Sequence, residues 1–170
     1  MINNADVRTG MNSPASGTDN LYPGRLPTLT RTATPMNLNP FAAQVRFSAD
    51  HLLPEHQWRD HLAKFLESIA RRCEASGPSV IGHIKALALF DDHRYLRASV
   101  VSSRHPADLE GNPPGEFRQM EITLNVLVYG LDRSAIEALV ADAISEIGQS
   151  FGGSIVLFTK NNDLPIDRPE

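Results

Sequence analysis

From Pro40-Phe41 onward, apolar residues recur with one of two periods, and the period names the element. Ala43, Val45 and Phe47 alternate with Gln44 and Arg46, which predicts a short half-buried strand. Pro54 suits a first helical turn. After it, Trp58, Leu62, Phe65, Leu66 and Ile69 fall at i, i+4, i+7, i+8 and i+11, one face of a helix. Arg71 and Arg72 complement the negative end of that helix, and Gly77-Pro78 stops it. Val80 to Phe90 predicts a strand with Val80, Gly82, Ile84, Ala86, Ala88 and Phe90 on one face and Ile81, His83, Lys85, Leu87 and Leu89 on the other. Asp91-Asp92-His93-Arg94 is its turn. The return strand, Tyr95 to Ser102, turns Leu96, Ala98 and Val100 inward and Arg97 and Ser99 outward.

Ser103 to Gly115 is broken by prolines and glycines and reads as a long, mobile loop. Met120 to Val128 alternates most cleanly. Met120, Ile122, Leu124, Val126 and Val128 form its apolar face, opposite Glu121, Thr123 and Asn125. Gly130 ends that strand, and Asp132 can cap a second helix through its carboxylate. Ile136, Leu139, Val140, Ala143, Ile144 and Ile147 form the helix's buried stripe, with Leu131 and Ile136 spaced as a hydrophobic staple. Gly148 and Gly152-Gly153 close the helical region, and Ser154 to Phe158 makes a last short strand.

Strands with one apolar face and helices with one apolar stripe pack most economically as an α+β domain. The expected fold is a mostly antiparallel sheet of about five strands with two helices packed on one face. The other face is then open and carries His83, Lys85, Arg97, Ser99, Glu121, Thr123 and Asn125. Within it, His83 and Lys85 lie two residues apart and point the same way, with Arg97 and Glu121 placed to approach across strands. These four residues form the candidate binding patch, for an anion or an acidic protein surface. The alternative is a solvated face with cross-strand charge pairs, each contributing roughly 0.2–1 kcal/mol. Ile81, Leu87, Leu89, Leu127 and Tyr129 add apolar area at its margins, which favours cover by a second subunit or a protein partner.

Residues 1–39 show neither period and are rich in Asn, Thr, Ser and Pro, the signature of a disordered polar tail. Residues 40–160 then make a single domain, and 161–170 a frayed end. Arg8, Arg25 and Arg31 against Asp6 and Asp19 give residues 1–40 a charge of +1. That leaves −5 of the net −4 for the remainder. A mildly acidic domain without basic clusters is a poor match for a polyphosphate backbone, so no nucleic acid is expected as partner. No run approaches the roughly 20 apolar residues needed to cross a bilayer, and the N-terminus lacks the apolar core of a secretory signal. The single cysteine excludes an intramolecular disulfide and suits a reducing, cytoplasmic setting.

Catalytic chemistry finds no anchor in the sequence. His51, His56 and His61 are five apart, a step that turns about 140° on a helix, and they lack the i, i+4 spacing that sets two imidazoles on one zinc. Solvated helix positions are expected for them. Cys73 follows Ile69 by four residues, on the apolar stripe, which favours a buried thiol over one activated by Arg71 and Arg72. Gly152-Gly153-Ser154 precedes a strand, whereas a phosphate cradle opens a helix. Asp91-Asp92 lies at a turn, a poor place for paired-carboxylate chemistry. No metal, no cofactor and no enzyme activity are therefore expected. An unfamiliar enzyme using Cys73 or His83 would need those side chains in one concave pocket.

Residues 55–158 also resemble the C-terminal domain of the CobW-type GTPases, relatives of metallochaperone and cobalamin-synthesis proteins. The likeness lies in a helix followed by a strand bearing Gly82-His83-Ile84-Lys85-Ala86. It continues through a hairpin to Val126-Leu127-Val128-Tyr129-Gly130-Leu131-Asp132 and a helix opening with Ser134-Ala135-Ile136. The chain has no G-x-x-x-x-G-K-[ST] motif and no Cys-x-Cys-Cys, so no nucleotide, magnesium or metal ligands carry over. The resemblance implies a free-standing accessory domain, working beside a GTPase or a metal or corrinoid enzyme. The leading functional expectation is thus a non-catalytic interaction or assembly module, by self-association or with a protein partner. The alternative is a small-ligand or anion-binding domain using the open face.

Overall fold

A computed structural model of the chain describes residues 37–90, 93–111 and 113–158. Apart from residues 37–39, the expected polar tail lies outside these, as do the C-terminal residues 161–170 and Asp91-Asp92 of the first turn. The elements run β1 (Leu38–Pro54), α1 (Glu55–Ala75), β2 (Val80–Leu89), β3 (Tyr95–Val100), β4 (Asp108–Glu110), β5 (Glu116–Tyr129), α2 (Arg133–Phe151) and β6 (Gly153–Phe158). All strands pair antiparallel in one six-stranded sheet of order β4-β3-β2-β5-β1-β6. The architecture is α+β, with α1 and α2 sharing one core with the inner sheet face.

The helical period locates that core. Trp58, Leu62, Phe65, Leu66 and Ile69 are all fully buried against Phe41, Val45 and Phe47 of β1 and the apolar faces of β2, β3 and β5. Asp132 caps α2, its Oδ1 accepting from the Ala135 N–H at 2.7 Å. Leu131 and Ile136 are both buried beside it, as a staple requires. Leu139 and Ile144 are only half-buried, whereas Ile136, Val140, Ala143 and Ile147 are buried. Phe151, beyond the predicted stripe, closes the core through edge-on contacts with Phe47 at 5.2 Å and His61 at 5.0 Å.

Three expectations are corrected. The first is the register of β2. Strict alternation puts Val80 inward and Ile81 outward, yet Val80 is 53% exposed and Ile81 packs against the core. Ile81 pairs with Val128 and His83 with Leu127, so one extra residue, Gly82, is taken up in a bulge. A Cβ on Gly82 would sit 3.2 Å from the Leu127 carbonyl oxygen, and glycine permits that close approach. The bulge flips the strand's first two residues and leaves His83 onward on the predicted faces.

The second concerns the presumed loop Ser103–Gly115, which contains β4 and adds a sixth strand at the sheet edge. Side chains of α1 tie it down. The Arg59 guanidinium donates to the Gly111 and Leu109 carbonyls, Glu67 accepts from the Ala107 N–H, and Glu74 accepts from the Ser103 N–H and hydroxyl. Those long-range bonds leave no local pattern in the sequence. The third is His61, which is not a solvated helix residue. Its ring packs on Phe151, its Nδ1 is buried without a hydrogen-bond partner, and burial lowers its pKa.

The helices are clamped to each other by a polar cluster. Glu146 on α2 accepts from the buried Ser68 hydroxyl at 2.6 Å, from Arg71 at 2.7 Å and from Arg72 at 2.9 Å. The Ser68 bond, then Arg72 and the Arg71 charge hold the Glu146 carboxyl below its ordinary range. Unfolding therefore takes up a proton there: the stability it supplies is present above the usual glutamate pKa of about 4.3 and is lost as pH falls through the folded value. The thermal midpoint is expected to fall on acidification below about pH 4.5, and Glu146→Gln to flatten that slope, both read by circular dichroism melts across pH.

Candidate functional site

Alternation along four neighbouring strands builds the open face. Cross-strand rows order it: Leu127 faces His83; Asn125 faces Lys85, which faces Ser99 and then Asp108; Thr123 faces Leu87, which faces Arg97 and then Glu110. Among the described residues nothing lies over this surface, since both helices share the core on the other side.

The four candidate residues all stand on this face but do not form one cluster. His83 is half-buried, while Lys85 and Arg97 are exposed on adjoining rows and line a common groove of about 420 Å³. Arg97 lies 5.2 Å over the Tyr95 ring and 3.9 Å from Glu110. Glu121 stands apart. Its Oε1 accepts from Arg46 Nε and a terminal guanidinium nitrogen at 3.1 and 2.9 Å, across the β1–β5 pair, and it faces Leu89 rather than Lys85. Arg46 in turn stacks 5.4 Å over Phe158 of β6. Sequence reasoning omitted Arg46 from the patch, although its alternation with Val45 and Phe47 already placed it outward.

The groove's walls carry both signs: Lys85 and Arg97 on β2 and β3 face Asp108 and Glu110 on β4, with Ala86, Ala98 and Leu87 also lining it. The acidic wall was unforeseen because it comes from the strand hidden in the presumed loop. Apolar side chains surround the charges. Leu87 lies mid-strand on β2, Leu89 and Tyr95 pair beside the β2–β3 turn, Leu38, Val80 and Tyr129 lie at the opposite end, and Val156 and Phe158 at the β6 edge, each between 36% and 53% exposed.

Nucleophiles and metal ligands are not gathered here. Cys73 is buried in the core, where burial and then the Glu74 charge push its thiol up to about 11, so it stays protonated at neutral pH. Neither Cys73 nor His83 lines the groove. Among the described residues no three His, Cys, Asp or Glu side chains are grouped to hold a metal ion, and no helix is long and apolar enough to cross a membrane. Compared with family models, curated proteins and solved structures, the chain matches none.

Proposed function

We infer that this domain is a non-catalytic interaction or assembly module whose open sheet face meets a protein partner in the cytoplasm. The observation that carries this reading is the concentration of exposed large apolar side chains on that one face, interleaved with paired charges. Leu87, Leu89 and Tyr95 would supply apolar contact, while Lys85, Arg97 and the Arg46–Glu121 pair would set orientation. A face of six strands spaced about 4.8 Å apart, over four to five residue rows, offers on the order of 700 Å² per partner. That approaches the contribution of one side to a stable interface. The likeness to the CobW C-terminal domain supports an accessory role beside a GTPase or a metal or corrinoid enzyme.

Lys85→Glu combined with Leu87→Asp tests the reading, since both side chains are exposed and neither supports the core. The double variant is expected to keep its circular dichroism and thermal midpoint while losing at least about tenfold in binding of its protein partner, measured by affinity capture. Unchanged binding would remove the face from the interaction. A second reading, small-ligand or anion binding, draws on the groove, whose volume falls in the usual range for ligand sites. Its mixed walls favour a ligand carrying both charges over a simple anion. Thermal stabilisation by a small zwitterion, lost in Arg97→Ala, would put that reading first.

A further inference from the structure

The two edges of the sheet are built differently. β4 closes one edge with three residues, two of them the charged Asp108 and Glu110, between Pro106 and Pro113-Pro114. Short length, charge and nearby proline are the usual protections against strand addition. β6 closes the other edge with none of them. Gly153–Phe158 is Gly-Ser-Ile-Val-Leu-Phe, six residues without charge or proline, and it pairs with β1 alone. Among the described residues its outer main-chain groups meet no further strand.

This strand is also its own complement. If a second β6 runs antiparallel about Val156, Ile155 faces Leu157 on the helix side, where both are half-buried at the end of the core. On the open side Val156 faces Val156, and the large Phe158 faces the small Ser154. No like charges meet. Five paired residues, 154–158, make a ladder about 17 Å long with on the order of five main-chain hydrogen bonds.

We propose that two copies of this chain associate through antiparallel pairing of their β6 edges centred on Val156, joining two six-stranded sheets into one with both open faces on the same side. The proposal rests on the reading of the domain as an association module and adds its partner, a second copy, and its docking strand. The face itself then stays free for a different protein.

Val156 is 44% exposed, so Val156→Lys and Val156→Glu are compatible with the fold, which circular dichroism checks. Sedimentation velocity on the full chain is the measurement. Each variant alone sets like charges opposite each other and is expected to raise the dimer dissociation constant about tenfold or more. The lysine variant should lose most, because Val156 also pairs with Arg46. An equal mixture of the two should restore a dimer, and Lys85→Glu with Leu87→Asp should remain dimeric. In the unmodified chain, hydrogen exchange at residues 154–158 should slow as concentration rises.

Monomeric Val156 variants that do not recover on mixing would assign the edge to another segment and overturn the pairing. Val156 variants as dimeric as the parent, with a monomeric Lys85/Leu87 variant, would move self-association to the face and leave the module reading standing. An unmodified chain that is monomeric at high concentration overturns the pairing, and the module reading then rests on affinity capture.

Discussion

Replacing Trp58 with alanine is expected to cost about 3–5 kcal/mol of folding stability. The side chain is fully buried at the start of α1, with its ring 5.9 Å from Phe90 and 5.6 Å from Phe151. Its indole N–H adds a second role. It donates to the carbonyls of Leu53 at 3.1 Å and Phe117 at 3.3 Å, two residues that pair across β1 and β5 where the register shifts past Ser48. Truncation thus opens a cavity and strips two buried acceptors of their donor. Trp58→Phe separates these effects: most of the ring remains, the N–H is lost, and the expected cost is about 1–3 kcal/mol. Urea denaturation followed by far-ultraviolet circular dichroism measures both, since the sole tryptophan is the residue removed. A phenylalanine variant as stable as the parent would mean that the indole hydrogen bonds contribute nothing net.

What the sequence revealed follows from how local the cause is. The α1 stripe, the β5 alternation and the Asp132 cap depend on residues within a few positions of one another, and all are present as expected. The β2 bulge is a local event too, but one glycine inside an alternating run reads equally well as an inward position. The pairing of Ile81 with Val128 decides between them, and that is a long-range fact. The same holds for β4, whose order comes from Arg59, Glu67 and Glu74 on a helix some forty residues earlier in the chain. Hence the open face was legible as a face, since alternation alone assigns it. Its internal partnerships were not: Glu121 belongs with Arg46, and the acidic wall of the groove lies on a strand that composition disguised.

The same reasoning fixes the expected rank of three substitutions along the core. Leu124 is fully buried at the middle of β5, with Ala86 and Ala43 as its neighbours on β2 and β1. Small residues on both sides make it the main bulk of its row, so Leu124→Ala should leave a cavity and cost about 2–5 kcal/mol. Thr123, one residue away, points to the open face and is exposed. Thr123→Ala removes a β-branched side chain from a solvated position and should cost well under about 1 kcal/mol. Ile144 sits between them: it packs on the core but is only half-buried on α2, so its truncation should fall below that of Leu124. Trp58 fluorescence reports all three unfolding curves. Since a slip of one residue exchanges the two faces of a strand, a larger loss for Thr123→Ala than for Leu124→Ala would place the helices on the opposite side of β5. It would also remove the open face on which the proposed binding of a protein partner depends.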